Sequence, residues 1–276
     1  MADPLRLELN DGHAIPQIGL GVWQAPEAAA AKAVEAALRA GYRHVDTAAM
    51  YGNEAGVGEG VRRSGVPREA VFVTTKIWNT DQGYDRALRA LDQSLGRLAM
   101  DHVDLLLIHW PSPQRGLYLE TWRALIAARA AGLARSIGVS NFDAPELDRI
   151  VGETGVSPVL NQIEVHPRFQ QRRLRAVNLE RGLRTEAWSP LGQGRLLADP
   201  AIGRLARKHG RTPAQVIIRW HIDSGLVAIP KSVHPGRIVE NHDVFGFQLD
   251  ADDMEAIAAL DDPDGRVGPD PATARF

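Results

Sequence analysis

His102–His109 reads HVDLLLIH, a short apolar run that scarcely alternates and stops on an ionisable residue. A strand covered on both faces is written this way, because neither face meets water. Working outward, Tyr42–Ala48 (YRHVDTA) delivers Asp46 with Tyr51 five residues on, and Ala70–Lys76 (AVFVTTK) delivers Lys76. SIGVSN ends at Asn141, PVLNQIE passes through Gln162, TEAWSP carries Ser189, and LVAIPKS ends at Lys231 and Ser232.

Between these runs the apolar spacing is helical. Helices are expected near 26–40, 53–64, 84–97, 119–131, 144–153, 170–181, 212–224, 235–242 and 250–261. Strands are expected at 42–46, 70–76, 103–109, 134–139, 158–163, 183–188 and 226–229. Either Ile15–Gly19 or Gly19–Trp23 supplies an eighth strand. Repeats of this length predict an α/β protein, a parallel (β/α)8 TIM barrel with right-handed connections. Residues 4–23 read as a hairpin turning at Asn10-Asp11-Gly12 that closes one barrel end, the bottom. No linker or break in composition interrupts the pattern, so residues 1–276 are expected to form one domain. In such a barrel the active site lies at the C-terminal strand ends, so Asp46, Tyr51, Lys76 and His109 are expected to converge.

Composition narrows the class. The chain has no cysteine, which excludes disulfides and thiolate metal sites and suits a reducing, cytoplasmic setting. The start MADPLRLELNDG lacks the basic and apolar regions of a signal peptide. No apolar run reaches the ~20 residues of a membrane span. A net charge of −2 gives no electrostatic case for nucleic acid or a membrane surface. The histidines show neither HxH nor HExxH spacing, so no metal is expected. Of 32 basic residues only four are lysine, and two of these, Lys76 and Lys231, stand at strand ends. Gly56, Gly58 and Gly60 are expected to serve close helix packing rather than a phosphate loop.

Asp46, Tyr51 and Lys76 together form a proton-transfer unit. An ammonium beside a phenol favours phenolate and is expected to lower the tyrosine pKa from about 10, while the aspartate holds the lysine. A general acid tuned toward neutral pH is what carbonyl reduction requires.

The segments HVDTAAMYGNE, VTTKIWN, LLIHWP, GVSNF, LNQIEVHP, AWSPLGQG and AIPKSVHPGRIVEN, in that order from Gly19 to Asn241, resemble the aldo-keto reductase superfamily. The ending DGRVGPDPATARF and the short loop after Pro111 resemble its bacterial prostaglandin synthase-like and 2,5-diketogluconate reductase branch. The resemblance implies Tyr51 as proton donor, Asp46 and Lys76 as its tuners, and His109 as the group that orients a substrate carbonyl. It places Ser140, Asn141 and Gln162 on a nicotinamide amide and Trp188 on the ring face. It sets Gly21, Val22, Ser189, Leu191 and Gln193 beside the rest of the cofactor. Lys231, Ser232, Val233, His234 and Arg237 lie where the family grips an adenosine 2′-phosphate, and Glu240 and Asn241 would face adenine. The cofactor implied is NADPH, with NADH tolerated. Many relatives carry Arg at the position of His234, and a neutral imidazole holds phosphate less firmly, so the preference should strengthen at lower pH. Trp23, Trp78 and Trp110, with His109, would wall the substrate pocket.

Gly19-Leu-Gly21 alone does not make a dinucleotide fingerprint, so a Rossmann fold is not indicated. The activity implied is reduction of small aldehydes, dicarbonyls or keto sugars by a monomer. The alternative, a non-catalytic NADPH-binding or structural protein reusing the barrel, is opposed by the intact set of four. A metal-dependent hydrolase lacks ligands.

Overall fold

The computed structural model describes residues 5–274, so the first four and last two residues of the domain read from the sequence lie outside it. A hairpin of β1 (Arg6–Glu8) and β2 (Ala14–Pro16) pairs antiparallel and precedes the barrel. Then follow β3 (Leu20–Gly21), α1 (Glu27–Ala40), β4 (His44–Asp46), α2 (Glu54–Ser64), β5 (Phe72–Ile77), α3 (Tyr84–Leu98), β6 (Val103–Ile108) and α4 (Tyr118–Ala130). The chain continues through β7 (Ala134–Ser140), α5 (Ala144–Thr154), β8 (Leu160–Glu164), α6 (Arg172–Glu180) and β9 (Arg184–Trp188). It ends with α7 (Pro200–His209), α8 (Pro213–Asp223), β10 (Val227–Ala228), α9 (Pro235–His242) and α10 (Ala251–Ala258).

Strands β3 to β10 form one parallel sheet in chain order. It closes on itself because the segment leading into β3 meets β10. Gly19 N–H donates to Ala228 O at 2.9 Å and Ala228 N–H to Gln17 O at 3.0 Å. The eighth strand is therefore drawn from both expected windows, with Ile18 bridging Ala228 and Gly21 bridging Lys231. Every residue of β6 is buried, including its one charged residue, Asp104, which accepts from Val73 N–H at 2.9 Å and pairs with Arg68. Leu9 and Ile15 of the hairpin pack with Phe72, Leu105, Val159 and Leu160, plugging the end opposite the strand C-termini.

The glycines of α2 act as expected. A Cβ on Gly56, Gly58 or Gly60 would lie 2.2 Å from Glu27 O, 2.0 Å from Leu98 O or 2.5 Å from Ala31 O. Only a bare helix face lets α2 sit against α1 and α3 at that distance.

Helix α7 was not expected from the sequence. The stretch is short, 10 residues, and its buried positions Ile202, Leu205 and Ala206 keep the i, i+3, i+4 spacing of a helix that the sequence reading passed over. Its ends also carry ordinary signals: Asp199 caps the N-terminus, Pro200 follows, and Gly210 ends it with φ 61°. Among the described residues, no helix is long and apolar enough to cross a membrane.

Candidate active site

Three strand ends bring the four ionisable residues together. Asp46 closes β4, Tyr51 ends the single 3-10 turn that follows, Lys76 lies one residue before the end of β5, and His109 follows β6. Lys76 Nζ donates to Asp46 Oδ1 at 2.6 Å and to Thr47 O at 2.9 Å, and it stands 5.2 Å from the Tyr51 ring centroid. The Tyr51 and His109 rings meet edge to face, 5.7 Å apart. Their cavity, of about 320 Å³, is also lined by Trp23, Trp78, Trp110, Trp188 and Gln162. A larger hollow of about 620 Å³ lies outside the barrel between α6, α8 and α10 and holds none of this chemistry.

Burial sets the protonation states. For Lys76, burial favours the neutral amine, but Asp46, Tyr51 and Glu186 outweigh it and hold the ammonium above its usual pKa. His109 is pushed well below its usual value by burial and by Lys76, so its imidazole is neutral at pH 7. Tyr51 departs from expectation. Lys76 does pull its pKa down, but burial pushes harder, and Asp46 and Glu186 add to the rise. The phenol is therefore held protonated, above its usual value. The sequence shows which charges are near Tyr51 but not how dry the site is, and the desolvation cost of phenolate decides the sign.

The two amides behind the site are already committed. Gln162 Nε2 donates to Asp46 Oδ2 and to Glu186 Oε2, both at 2.8 Å. Its Oε1 has no partner among the described residues, and Gln162 lines the cavity, so it offers an acceptor there. Asn141 Nδ2 donates to His109 O and to Ser140 Oγ, while Asn141 Oδ1 accepts from the Trp188 indole N–H at 2.9 Å. Asn141 thus braces the Trp188 ring. Asn141, Ser189 and Gln193 all adopt left-handed backbone, at φ 64°, 48° and 55°, strain that concentrates where a site must be shaped.

Of the other expected cofactor residues, Gly21, Ser140, Ser189, Gln193 and Lys231 line the cavity. Val22 and Leu191 do not: Val22 is buried in the core, its N–H bonded to Asp46 O, and Leu191 packs against apolar clusters. Ser232, Val233, His234 and Arg237 form an outer patch at the start of α9. Ser232 Oγ accepts from His234 N–H at 3.1 Å, and Lys231 and Arg237 are exposed with no ion pair among the described residues. Glu240 accepts from Thr212 Oγ1 at 2.8 Å, and Asn241 is buried.

Several residues escaped the sequence reading. Met50, Pro190, Ile229, Val267, Gly268 and Pro269 also line the cavity. The tail reaches it because the buried carboxylate of Glu164 accepts from Val267 N–H at 2.6 Å and Gly268 N–H at 3.0 Å. Gly268 lies flat on Trp188, where a Cβ would come within 2.4 Å of the ring. No local pattern marks such a contact, since it joins β8, β9 and a loop about a hundred residues later. Glu186 was also passed over, although an acid inside the run TEAW is a visible anomaly.

The arrangement offers a protonated phenol, a neutral imidazole with its Nδ1 unpartnered, an apolar wall and an exposed cationic patch. A carbonyl oxygen fits between phenol and imidazole. A flat amide-bearing ring fits Trp188 and Gln162 Oε1, and a phosphate fits Lys231, Ser232 and Arg237.

Comparison with known proteins agrees. The profile of the Aldo/keto reductase family matches residues 17–262. An aldo-keto reductase of Mycolicibacterium smegmatis is 54% identical over 271 residues, 98% of each chain. The methylglyoxal reductase DkgA of Escherichia coli K12 is 50% identical over 273 residues, again 98% of each. A crystal structure of a Gox0644 variant in complex with NADPH shares 53% identity and superposes with a TM-score of 0.96, covering 99% of both chains. The chain belongs to the aldo/keto reductase family.

Proposed function

We propose that this aldo/keto reductase reduces small aldehydes, dicarbonyls or keto sugars with NADPH, using Tyr51 as the proton donor. The observation that carries the reading is the gathering of Tyr51, Lys76, Asp46 and His109 at one end of a closed barrel, beside an apolar cavity. When bound, the nicotinamide supplies hydride to the carbonyl carbon. Tyr51 gives its proton to the carbonyl oxygen, and the Lys76 ammonium stabilises the phenolate left behind. Asp46 keeps that ammonium charged. Neutral His109 donates a hydrogen bond to the same oxygen and sets the approach angle, since a fixed geometry removes much of the orientation cost. Trp23, Trp78 and Trp110 exclude water. Trp188 and Gln162 hold the ring, while Lys231, Ser232 and Arg237 hold a 2′-phosphate.

Relatives named methylglyoxal reductase favour short dicarbonyls as substrates, and the volume of the cavity suits them. We read the protein as a monomeric cytoplasmic enzyme whose single domain spans the chain. The test is a carbonyl panel run with NADPH and with NADH, following loss of nicotinamide absorbance. Absence of turnover across the panel would favour the non-catalytic alternative. Light scattering in solution checks the monomer.

A further inference from the structure

Behind the site, away from the cavity, the barrel centre holds a second acid that proton donation by Tyr51 does not require. Glu186 of β9 is fully buried. Its Oε2 accepts from Gln162 Nε2 at 2.8 Å, and its Oε1 has no hydrogen-bond partner among the described residues. A buried carboxyl without an ion-pair partner is costly, and a leucine there would be cheaper.

We propose that Glu186 is a positioning residue for the Tyr51 site: it fixes the Gln162 carboxamide from behind, and its own ionisation, by adding a second negative charge beside Lys76, slows proton donation by Tyr51. The inference rests on the functional reading of Tyr51 given above. The Asp46 carboxylate demands a donor and the Glu186 Oε2 accepts the second N–H, so the Gln162 nitrogen faces inward and its oxygen faces the cavity. That settles the orientation of an amide whose two ends are otherwise alike.

The charge argument follows from what surrounds Glu186. Asp46 and His44 face it from β4 and Lys76 from β5, with Tyr51 beyond them on the turn. Gln162 faces it from β8, and β10, paired at Val227, adds no titratable group. His44, 3.6 Å from Glu186 Oε1, is pushed down to about 3 by burial and Lys76, so it is neutral and contributes no charge. Burial, then Asp46, raises Glu186 to about 8. At neutral pH the acid is protonated and Lys76 answers to Asp46 alone. Above that pH a second carboxylate offsets the ammonium, Tyr51 becomes a weaker acid, and proton donation slows.

The test combines two readouts. Infrared spectra of wild-type protein labelled with ¹³C-glutamate should show a protonated-carboxyl band at pH 7 that fades as pH rises through about 8, and Glu186→Gln should lack it. In parallel, the ratio of kcat at pH 9 to kcat at pH 7 should rise about five- to ten-fold in Glu186→Gln, because a group with a pKa near 8 is nine-tenths ionised at pH 9. A wild-type spectrum with no such band overturns the proposal without touching the functional reading, and it does so even if the variant fails to fold. An unchanged kcat ratio in a folded variant overturns it as well. Loss of all wild-type turnover at every pH would instead overturn the functional reading.

Discussion

Lys76 Nζ lies 2.6 Å from Asp46 Oδ1 with both side chains buried, and the same Asp46 accepts from Gln162 through its other oxygen. One carboxylate therefore sets both the charge of the lysine beside Tyr51 and the orientation of an amide facing the cavity. Removing one partner of a buried ion pair costs about 3–5 kcal/mol, because the other charge is left uncompensated.

Asp46→Asn should therefore lower both the melting temperature and kcat. The remaining Lys76 loses its proton more easily and stabilises phenolate less. An Asp46→Asn protein with wild-type thermal stability and turnover would show that the pair sets neither.

Tyr51→Phe should abolish reduction and leave NADPH binding nearly unchanged, because the hydroxyl acts on substrate while the ring still packs against His109. Steady-state kinetics with fluorescence titration separates the two. Most of the wild-type turnover surviving would remove Tyr51 as general acid.

Lys231→Ala or Arg237→Ala should weaken NADPH far more than NADH. Both side chains are exposed with no ion pair among the described residues, and each would lose a charge-assisted contact worth about 1.5–3 kcal/mol, roughly 10- to 150-fold in affinity. Equal losses for the two cofactors would place these residues elsewhere.

His234 caps the start of α9 and is exposed beside the same patch. A guanidinium holds a phosphate more firmly than an imidazole does, so His234→Arg should tighten NADPH several-fold and leave NADH affinity nearly unchanged. Equal NADPH affinities for the two proteins would mean that His234 points away from the phosphate.

Gly268→Ala would press a methyl group against Trp188, where a Cβ has only 2.4 Å. The tail should be displaced from the cavity wall, raising KM for bulky carbonyls several-fold more than for short ones. Uniform KM values across the panel would show that the tail shapes no specificity.

The sequence by itself determined the barrel and the four ionisable residues. Runs such as Leu105–Ile108 are apolar on both faces, which only a covered parallel strand tolerates, and their ends are the ends of the strands. Of the residues that the family-like segments implied for a cofactor, Ser140, Asn141, Gln162, Trp188, Gln193 and Lys231 are among those that line the cavity at that rim. What tertiary structure alone decided is how dry and how crowded that rim is. Burial reversed the expected direction of the Tyr51 shift, placed Val22 in the core and half-buried Leu191 against it, and turned the amides of Asn141 and Gln162 onto neighbours far along the chain. It also brought Gly268 onto Trp188 through the carboxylate of Glu164, and Glu186 behind Gln162. The physical reason is common to all of these. Strand and helix periodicity is local and survives in the order of residues, whereas desolvation and hydrogen-bond partnership depend on which distant segments close over a group.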